Sequence, residues 1–428
     1  MARSKKAFLV AGLGFGDEGK GSIVDFLTRK YGAHTIVRYN GGPQAAHTVV
    51  APDGRHHVFA QFGSGTLVPG TKTHLSRFMP INPLSILVEE EHLRRLGITD
   101  ALERLSVEAG SVIVTPYHGM INRLLELSRG SLRHGSCGLG VGQAMSDYRK
   151  YGNKVLFAGD LKNSRKTKRK LEFIKSRSQE ILENIKKSLP KNGIAGRNIQ
   201  HLYDEHDNVL DACLEQYKIF LDSVAIVGPE HLKTILKKGT VIFEGAQGVL
   251  LDQRFGSPPY VTKTDTTFDN AVRLLAETGY DGKIEKIGVL RGYATRHGPG
   301  PFPTEDNALT KLLPDAHNKE NDWQGKFRAG YFDVPAVKYA IESIEGVDEV
   351  ALTNLDRLIG VRPLKIAICR NDFGPEYKTI DTLKSLPDVL QYAKLIGSLI
   401  NTPITILSLG PTADDKVVFE PYYNKPPA

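Results

Sequence analysis

The segment Gly12-Leu13-Gly14-Phe15-Gly16-Asp17-Glu18-Gly19-Lys20-Gly21 lies between two apolar runs, Ala7-Phe8-Leu9-Val10 and Ile23-Val24-Asp25-Phe26-Leu27. That order predicts a strand, a glycine-rich turn and the start of a helix, which is where a phosphate sits. Glycines leave room for backbone N–H groups to curl around phosphate oxygens, the helix N-terminus adds partial positive charge, and Lys20 supplies a full one. Gly16, Glu18, Gly19, Lys20 and Gly21 are therefore the expected triphosphate-binding residues. The turn departs from an ordinary P-loop in the acidic pair Asp17-Glu18 at its centre. A carboxylate beside a phosphate is repelled unless a metal ion or a proton intervenes, so Asp17 points to Mg²⁺ ligation, proton abstraction, or both.

A second turn-rich loop, Asn40-Gly41-Gly42-Pro43-Gln44-Ala45-Ala46-His47-Thr48, follows the strand pattern Thr35-Ile36-Val37-Arg38-Tyr39. Two loops that follow two early strands meet at the carboxyl edge of an open α/β sheet, where ligands bind. Strand-like runs at 7–10, 35–39, 111–115, 240–243, 285–290, 349–353, 364–369 and 404–408 alternate with helix-like stretches at 84–95, 119–128, 165–188, 209–223, 267–278, 334–344 and 386–400. The alternation predicts an α/β fold with a large, mostly parallel central sheet and flanking helices. Residues 1–428 read as one domain carrying a helical, basic insertion at about 160–225 and a mobile loop at about 306–328. The stretch 189–207 reads as a surface loop, and the tail from Pro421 to Ala428 as frayed.

Composition narrows the functional classes. No run of about 18 apolar residues argues for a membrane span, and the basic start Met1-Ala2-Arg3-Ser4-Lys5-Lys6 runs straight into the strand that the first loop needs. Cys137, Cys213 and Cys369 lie far apart without a CxxC pair, which suggests neither a disulfide framework nor a zinc site and fits a reducing cytoplasm. The net charge of +8 owes much to Lys162, Arg165, Lys166, Lys168, Arg169, Lys170, Lys175 and Arg177, a run that reads as a solvated helix face. Anionic nucleotide substrates account for such a basic enzyme better than nucleic acid does.

The two loops together resemble the adenylosuccinate synthetase family, whose loops have the forms GDEGKG and GGxNAGHT. The resemblance continues through Phe243-Glu244-Gly245-Ala246-Gln247-Gly248, Thr262, Arg291-Gly292-Tyr293, Gly300-Pro301-Phe302-Pro303-Thr304-Glu305, Gly330-Tyr331-Phe332-Asp333, Thr353-Asn354-Leu355-Asp356 and Ser408-Leu409-Gly410-Pro411. It implies a P-loop-related ligase that phosphorylates the 6-oxo group of IMP with GTP and Mg²⁺ and then displaces the phosphate with L-aspartate. In that scheme Asp17 is the base, His47 neutralises the transferring phosphoryl group, Lys20 offsets phosphate charge and Gln247 positions the purine. Asp17 and the carbonyl of Ala46 hold the metal. Asn354, Asp356, Ser408 and Gly410 receive the donor base; Gln44, Ser136, Cys137, Lys150, Gln247 and Thr262 receive the acceptor nucleotide. Lys326 and Arg328 hold the amino acid, and a homodimer is implied in which Lys150 or Arg149 reaches the partner's site.

Departures from the family cluster on substrate-reading positions. Gln44 stands where the family has asparagine, Ala46 where it has glycine, Cys137 where it has threonine, and Asn354 where it has lysine. The amino-acid loop TTGRxRR is replaced by a segment around Trp323-Gln324-Gly325-Lys326-Phe327-Arg328, in which one bidentate arginine has become lysine. Two alternatives follow: a relative acting on another oxopurine or oxo-heterocycle, for example dGMP with ATP or dATP, and an inactive nucleotide-binding regulator.

Overall fold

A computed structural model gives the fold, described here for residues 5–185, 209–315, 323 and 325–419. Ten strands form the central sheet: β1 (Lys6–Gly12), β2 (Thr35–Arg38), β5 (Lys72–Leu75), β6 (Leu105–Glu108), β7 (Ala225–Val227), β8 (Val241–Glu244), β9 (Lys283–Arg291), β13 (Glu349–Thr353), β16 (Ile404–Ser408) and β17 (Lys416–Val418). Their spatial order is β17-β16-β13-β9-β1-β8-β2-β5-β6-β7, and every neighbouring pair is parallel except β16 with β17. The remaining strands form small outlying sheets: the hairpin β3 (His47–Val50) with β4 (His56–Phe59), the pair β10 (Ala294–His297) with β11 (Phe327–Gly330), and β12 (Phe332–Asp333), β14 (Leu364–Asn371) and β15 (Gly374–Ile380).

The run Ala7-Phe8-Leu9-Val10 is apolar without alternation because both faces of its strand are covered. Phe8 and Val10 pack with Ile23, Val24 and Leu27 of the helix Lys20–Tyr31, while Ala7 and Leu9 face a larger core that includes Phe243, Leu274 and Leu352. That helix begins at Gly19, whose φ of 90° is left-handed, and Thr353 lies close behind it. A side chain at residue 19 would be strained in that conformation.

Several expectations need correction. Residues 111–115 form isolated bridges, Ile81 with Ile113 and Val112 with Phe157, before Pro116 opens the helix Pro116–Ser128. The strand at 364–371 is real but joins β12 and β15, outside the central sheet. Within 306–328, Asn307–Leu312 is a helix and Phe327–Gly330 a strand, while 316–322 and 324 lie outside the described residues. The surface loop expected at 189–207 and the tail at 421–428 also lie outside them. The basic insertion is helical where described, in Ser164–Ile185 and Val209–Ser223.

Candidate active site

Six adjacent strands, in the order β16-β13-β9-β1-β8-β2, end at one edge of the sheet. Because they are parallel, the loops that follow them emerge side by side. These loops carry Ser408 and Gly410, Asn354 and Asp356, the turn 12–21, Gln247, and Gln44 through His47. All of them line one cavity of about 790 Å³.

Glu18 supports the first turn from behind. Its carboxylate accepts N–H groups from Gly14 at 3.0 Å and Gly16 at 2.7 Å and pairs with the buried Lys20 ammonium at 2.6 Å. Thr353 Oγ1 donates to the Glu18 carbonyl at 2.6 Å, tying the turn to β13. Gly16, Gly19, Lys20 and Gly21 line the cavity, whereas the Glu18 side chain faces a small separate pocket with Leu13, Leu290 and Phe302. Glu18 thus fixes the turn and its lysine rather than offering its own side chain to a ligand in the cavity.

Asp17 lies at the centre of the turn with φ 62° and faces the cavity. Arg291 Nε donates to its carbonyl, and the same guanidinium pairs with Asp315 at 2.9 Å. Burial raises the Asp17 carboxyl above its ordinary value, Arg291 pulls it back, and Glu18 adds to the rise. A base of raised pKa holds an abstracted proton better.

His47 begins β3, and its Nδ1 meets Glu244 Oε1 at 2.5 Å. Glu244 ends β8, fully buried, and also accepts the Ser64 N–H at 2.9 Å and the Ser64 hydroxyl. Burial opposes ionisation of Glu244, but Arg38, His47 and Ser64 together hold its carboxyl down at about 2. Burial lowers His47 to about 4, although Glu244 pulls the other way. The ring is therefore neutral at physiological pH. Ionised Glu244 takes Nδ1–H, which leaves Nε2 as the nitrogen available to a ligand.

The loops after β2 and β8 are joined by Asn40 Oδ1, which accepts the Ala246 N–H at 2.7 Å. Gln247 follows in a left-handed conformation with φ 59°. Its Oε1 and that of Gln44 are buried without a hydrogen-bond partner among the described residues, in the wall of the cavity. Such oxygens are open to a donor from a bound ligand or an ordered water.

Ala46, Ser136, Cys137, Thr262, Asn354, Asp356, Ser408 and Gly410 line the same cavity. Lys150, Lys326 and Arg328 do not. Lys150 is exposed, its ammonium 5.2 Å from the Tyr151 ring. Arg328 is taken up by Glu305 at 2.7 Å and by the carbonyls of Gly298 and Gly300, because pairing of β10 with β11 turns it there. Glu244, Arg291, Thr353 and Ser64 were not anticipated as site residues. A charged residue closing a buried strand pattern, Glu244 after Val241-Ile242-Phe243 or Arg291 after 285–290, is the signal that identifies two of them.

A family model for adenylosuccinate synthetase matches residues 9–371. The adenylosuccinate synthetase of Trichodesmium erythraeum is 31% identical, the match covering 96% of both chains. That of Vibrio cholerae is also 31% identical, over 96% of this chain and 97% of its own. Among solved structures, a fully ligated adenylosuccinate synthetase from Plasmodium falciparum superposes with a TM-score of 0.77 at 22% identity, covering 96% of this chain and 99% of that one. The cyanophage S-2L succinoaminodeoxyadenylate synthetase, solved with dGMP and dATP, gives a TM-score of 0.63 at 19% identity over 97% and 96%.

The family model and these relatives place the molecule among the ligases that form carbon–nitrogen bonds. Within that class, the chain belongs to the adenylosuccinate synthetase family.

Proposed function

We propose that this chain transfers the γ-phosphoryl group of GTP to O6 of IMP and then replaces that phosphate with the amine of L-aspartate. One observation carries the reading. Asp17, Lys20, His47 and Gln247, from three separate loops, share a cavity with Asp356, whose carboxylate makes no hydrogen bond or ion pair among the described residues. A carboxylate accepts N1–H and N2–H of guanine, whereas adenine presents a lone pair at N1, so Asp356 favours GTP. Asn354, Ser408 and Gly410 line the same slot.

The acceptor purine lies against Gln247 and Gln44. Asp17 accepts its N1 proton as O6 attacks the γ-phosphorus; the O6–P bond forms, the bond from that phosphorus to the bridging oxygen breaks, and GDP leaves with the electron pair. Lys20 offsets the negative charge of the phosphates. His47, held by Glu244, gains a proton more readily once an anion faces it, and then donates to the phosphoryl oxygens. The amine of aspartate attacks C6, the C6–O bond breaks, and phosphate departs, taking up the proton that the amine nitrogen loses. The cavity suits Mg²⁺, since Asp17 and Ala46 line it beside the phosphate turn and this ion needs only one or two protein oxygens besides phosphates and water. Bound there, it would neutralise phosphate charge.

L-aspartate as amine donor is supported by family membership; Lys326 and Arg328 lie outside the cavity. We also read the chain as a single catalytic domain acting as a cytoplasmic homodimer. The sharing of one sheet by strands from Lys6 to Val418 supports the first point. Exposed Tyr148, Arg149 and Lys150, at the end of the helix Val141–Tyr151, offer a surface to a second copy. No helix among the described residues is long and apolar enough to cross a membrane.

Purified protein with Mg²⁺, GTP, IMP and L-aspartate is expected to release phosphate only when every component is present, with adenylosuccinate found by mass spectrometry. Turnover of dGMP with ATP or dATP, but not of IMP with GTP, would transfer the assignment to the 2-aminopurine reaction. Nucleotide binding without turnover of any acceptor would make the chain a regulator.

A further inference from the structure

We infer that Lys263 is the cation that holds the acceptor nucleotide's phosphate, and that it does so within a single chain. The inference rests on the ligase reading above. Thr262 and Lys263 are consecutive and line the cavity beside Ser136, Cys137 and the start of the helix Val141–Tyr151. The Lys263 stem packs over Gly142, and its ammonium reaches Ser146 Oγ at 3.0 Å.

A phosphate dianion needs charge as well as hydroxyl donors, and the hydroxyl donors here are weak. Cys137 offers a thiol, a poor donor, and Ser136 Oγ already meets Asn122 Oδ1 at 3.0 Å. The surrounding cations can be taken in turn. Arg129 is paired with Glu126, whose second oxygen takes the Gly135 N–H. His134 is pushed away from its charged form by burial and by Arg129. Arg149 donates to Gln253 and to the Lys263 carbonyl and does not line the cavity. Lys150 lies outside the cavity. Lys263 has no carboxylate within ion-pair distance among the described residues; the acidic group that influences it is Asp147, which itself lies 3.5 Å from His118. Exposed on the cavity wall between other cations, and with no carboxylate within ion-pair distance among the described residues, Lys263 is stabilised by an arriving anion.

The adjacent helix start adds to the same field. Gly140 precedes it with φ 84°, no side chain caps it, and Val141, Gly142 and Gln143 line the cavity. A tetrahedral oxyanion between this helix start and the Lys263 ammonium meets donors on two sides. The charge that the family resemblance assigned to Lys150 or Arg149 of a second copy is thus present in cis.

Steady-state kinetics of the full chain test the idea. Lys263→Ala is expected to raise KM for the nucleoside monophosphate about 10- to 100-fold, the range lost with a charge-assisted hydrogen bond. KM for GTP and for aspartate should stay within about twofold, kcat should fall far less than KM rises, and the preference for the monophosphate over its dephosphorylated nucleoside should shrink. Lys263→Arg should restore most of the affinity, which a merely misfolded site would not allow. Mixing Lys263→Ala with Asp17→Asn chains should leave KM high, because each working site keeps its own defective residue 263. An unchanged KM in Lys263→Ala, or recovery of low KM in the mixture, overturns the inference while leaving the ligase reading intact. Failure of the unaltered protein to turn over any purine monophosphate removes both.

Discussion

Asp17 sets chemistry against stability at a single residue. Its carboxyl is raised by burial, so at neutral pH the ionised form is less comfortable folded than unfolded. Asp17→Asn removes that charge and suits the left-handed backbone at φ 62°, since asparagine tolerates it. We expect the variant to melt at a higher temperature by calorimetry yet to lose about 10²- to 10⁴-fold in kcat, the share of a general base. Wild-type turnover in that variant would remove Asp17 from the proton transfer. Glu244 acts through His47. Glu244→Gln takes away the negative charge that favours the imidazolium, so His47 should titrate lower in the variant than in the unaltered protein when both are followed by NMR. Phosphoryl transfer should slow about 10-fold or more, with KM for GTP little changed.

Among the elements, the turn 12–21 depends on contacts from strands far away in sequence. Gly248, after β8, has no room for a side chain, because a Cβ there would collide with the Gly14 carbonyl, the Gly16 nitrogen and the Glu18 carboxylate. Two of these are backbone atoms and cannot rotate aside. Gly248→Ala is expected to cost about 1–3 kcal/mol in denaturant unfolding and to weaken GTP binding in the folded fraction. A variant with unchanged stability and GTP affinity would show that the turn is softer than its packing implies. Thr353→Val deletes the hydroxyl that anchors Glu18 and should cost about 1 kcal/mol with a rise in KM for GTP.

The molecule as a whole stores acid sensitivity in buried groups. His47 and His74 are lowered by burial to about 4 and about 3, against an unfolded value of 6.5. Below pH 6.5 the unfolded chain therefore binds protons that the folded chain refuses, and stability falls as pH falls toward those values. Glu244, held at about 2 against 4.5, adds stability that is present above pH 4.5 and is lost on further acidification. All three act in the same direction. Melting temperature should decline steadily from pH 7 to pH 4.5, and His74→Gln, outside the cavity, should flatten part of that slope. A flat profile in the unaltered protein would mean that these rings are already protonated when folded or that carboxyls raised by burial, such as Asp17, offset them.

Much of the site was readable along the chain because its instructions are local. A phosphate turn needs consecutive glycines between an apolar strand and a helix, and residues 12–21 state this without help from elsewhere. The ordered loops ending in His47, Gln247, Asp356 and Gly410 were legible through the resemblance of their motifs to the family, and parallel strands carried them all to one edge. Short strands such as Lys72–Leu75 and Leu105–Glu108 were not, since polar residues interrupt their patterns. Nor were the partnerships. Glu244 lies 197 residues from His47, Arg291 lies 274 from Asp17, and Thr353 lies 335 from Glu18. Such pairs arise from sheet order alone, which no local periodicity encodes. The same distinction explains Arg328 and Lys263: nearness to a motif suggested the first, but strand pairing turned it toward Glu305, while packing over Gly142 brought the second into the cavity. Sequence determined which chemical groups the edge would carry; tertiary structure decided which of them face one another, because hydrogen bonding and burial act through space and not along the chain.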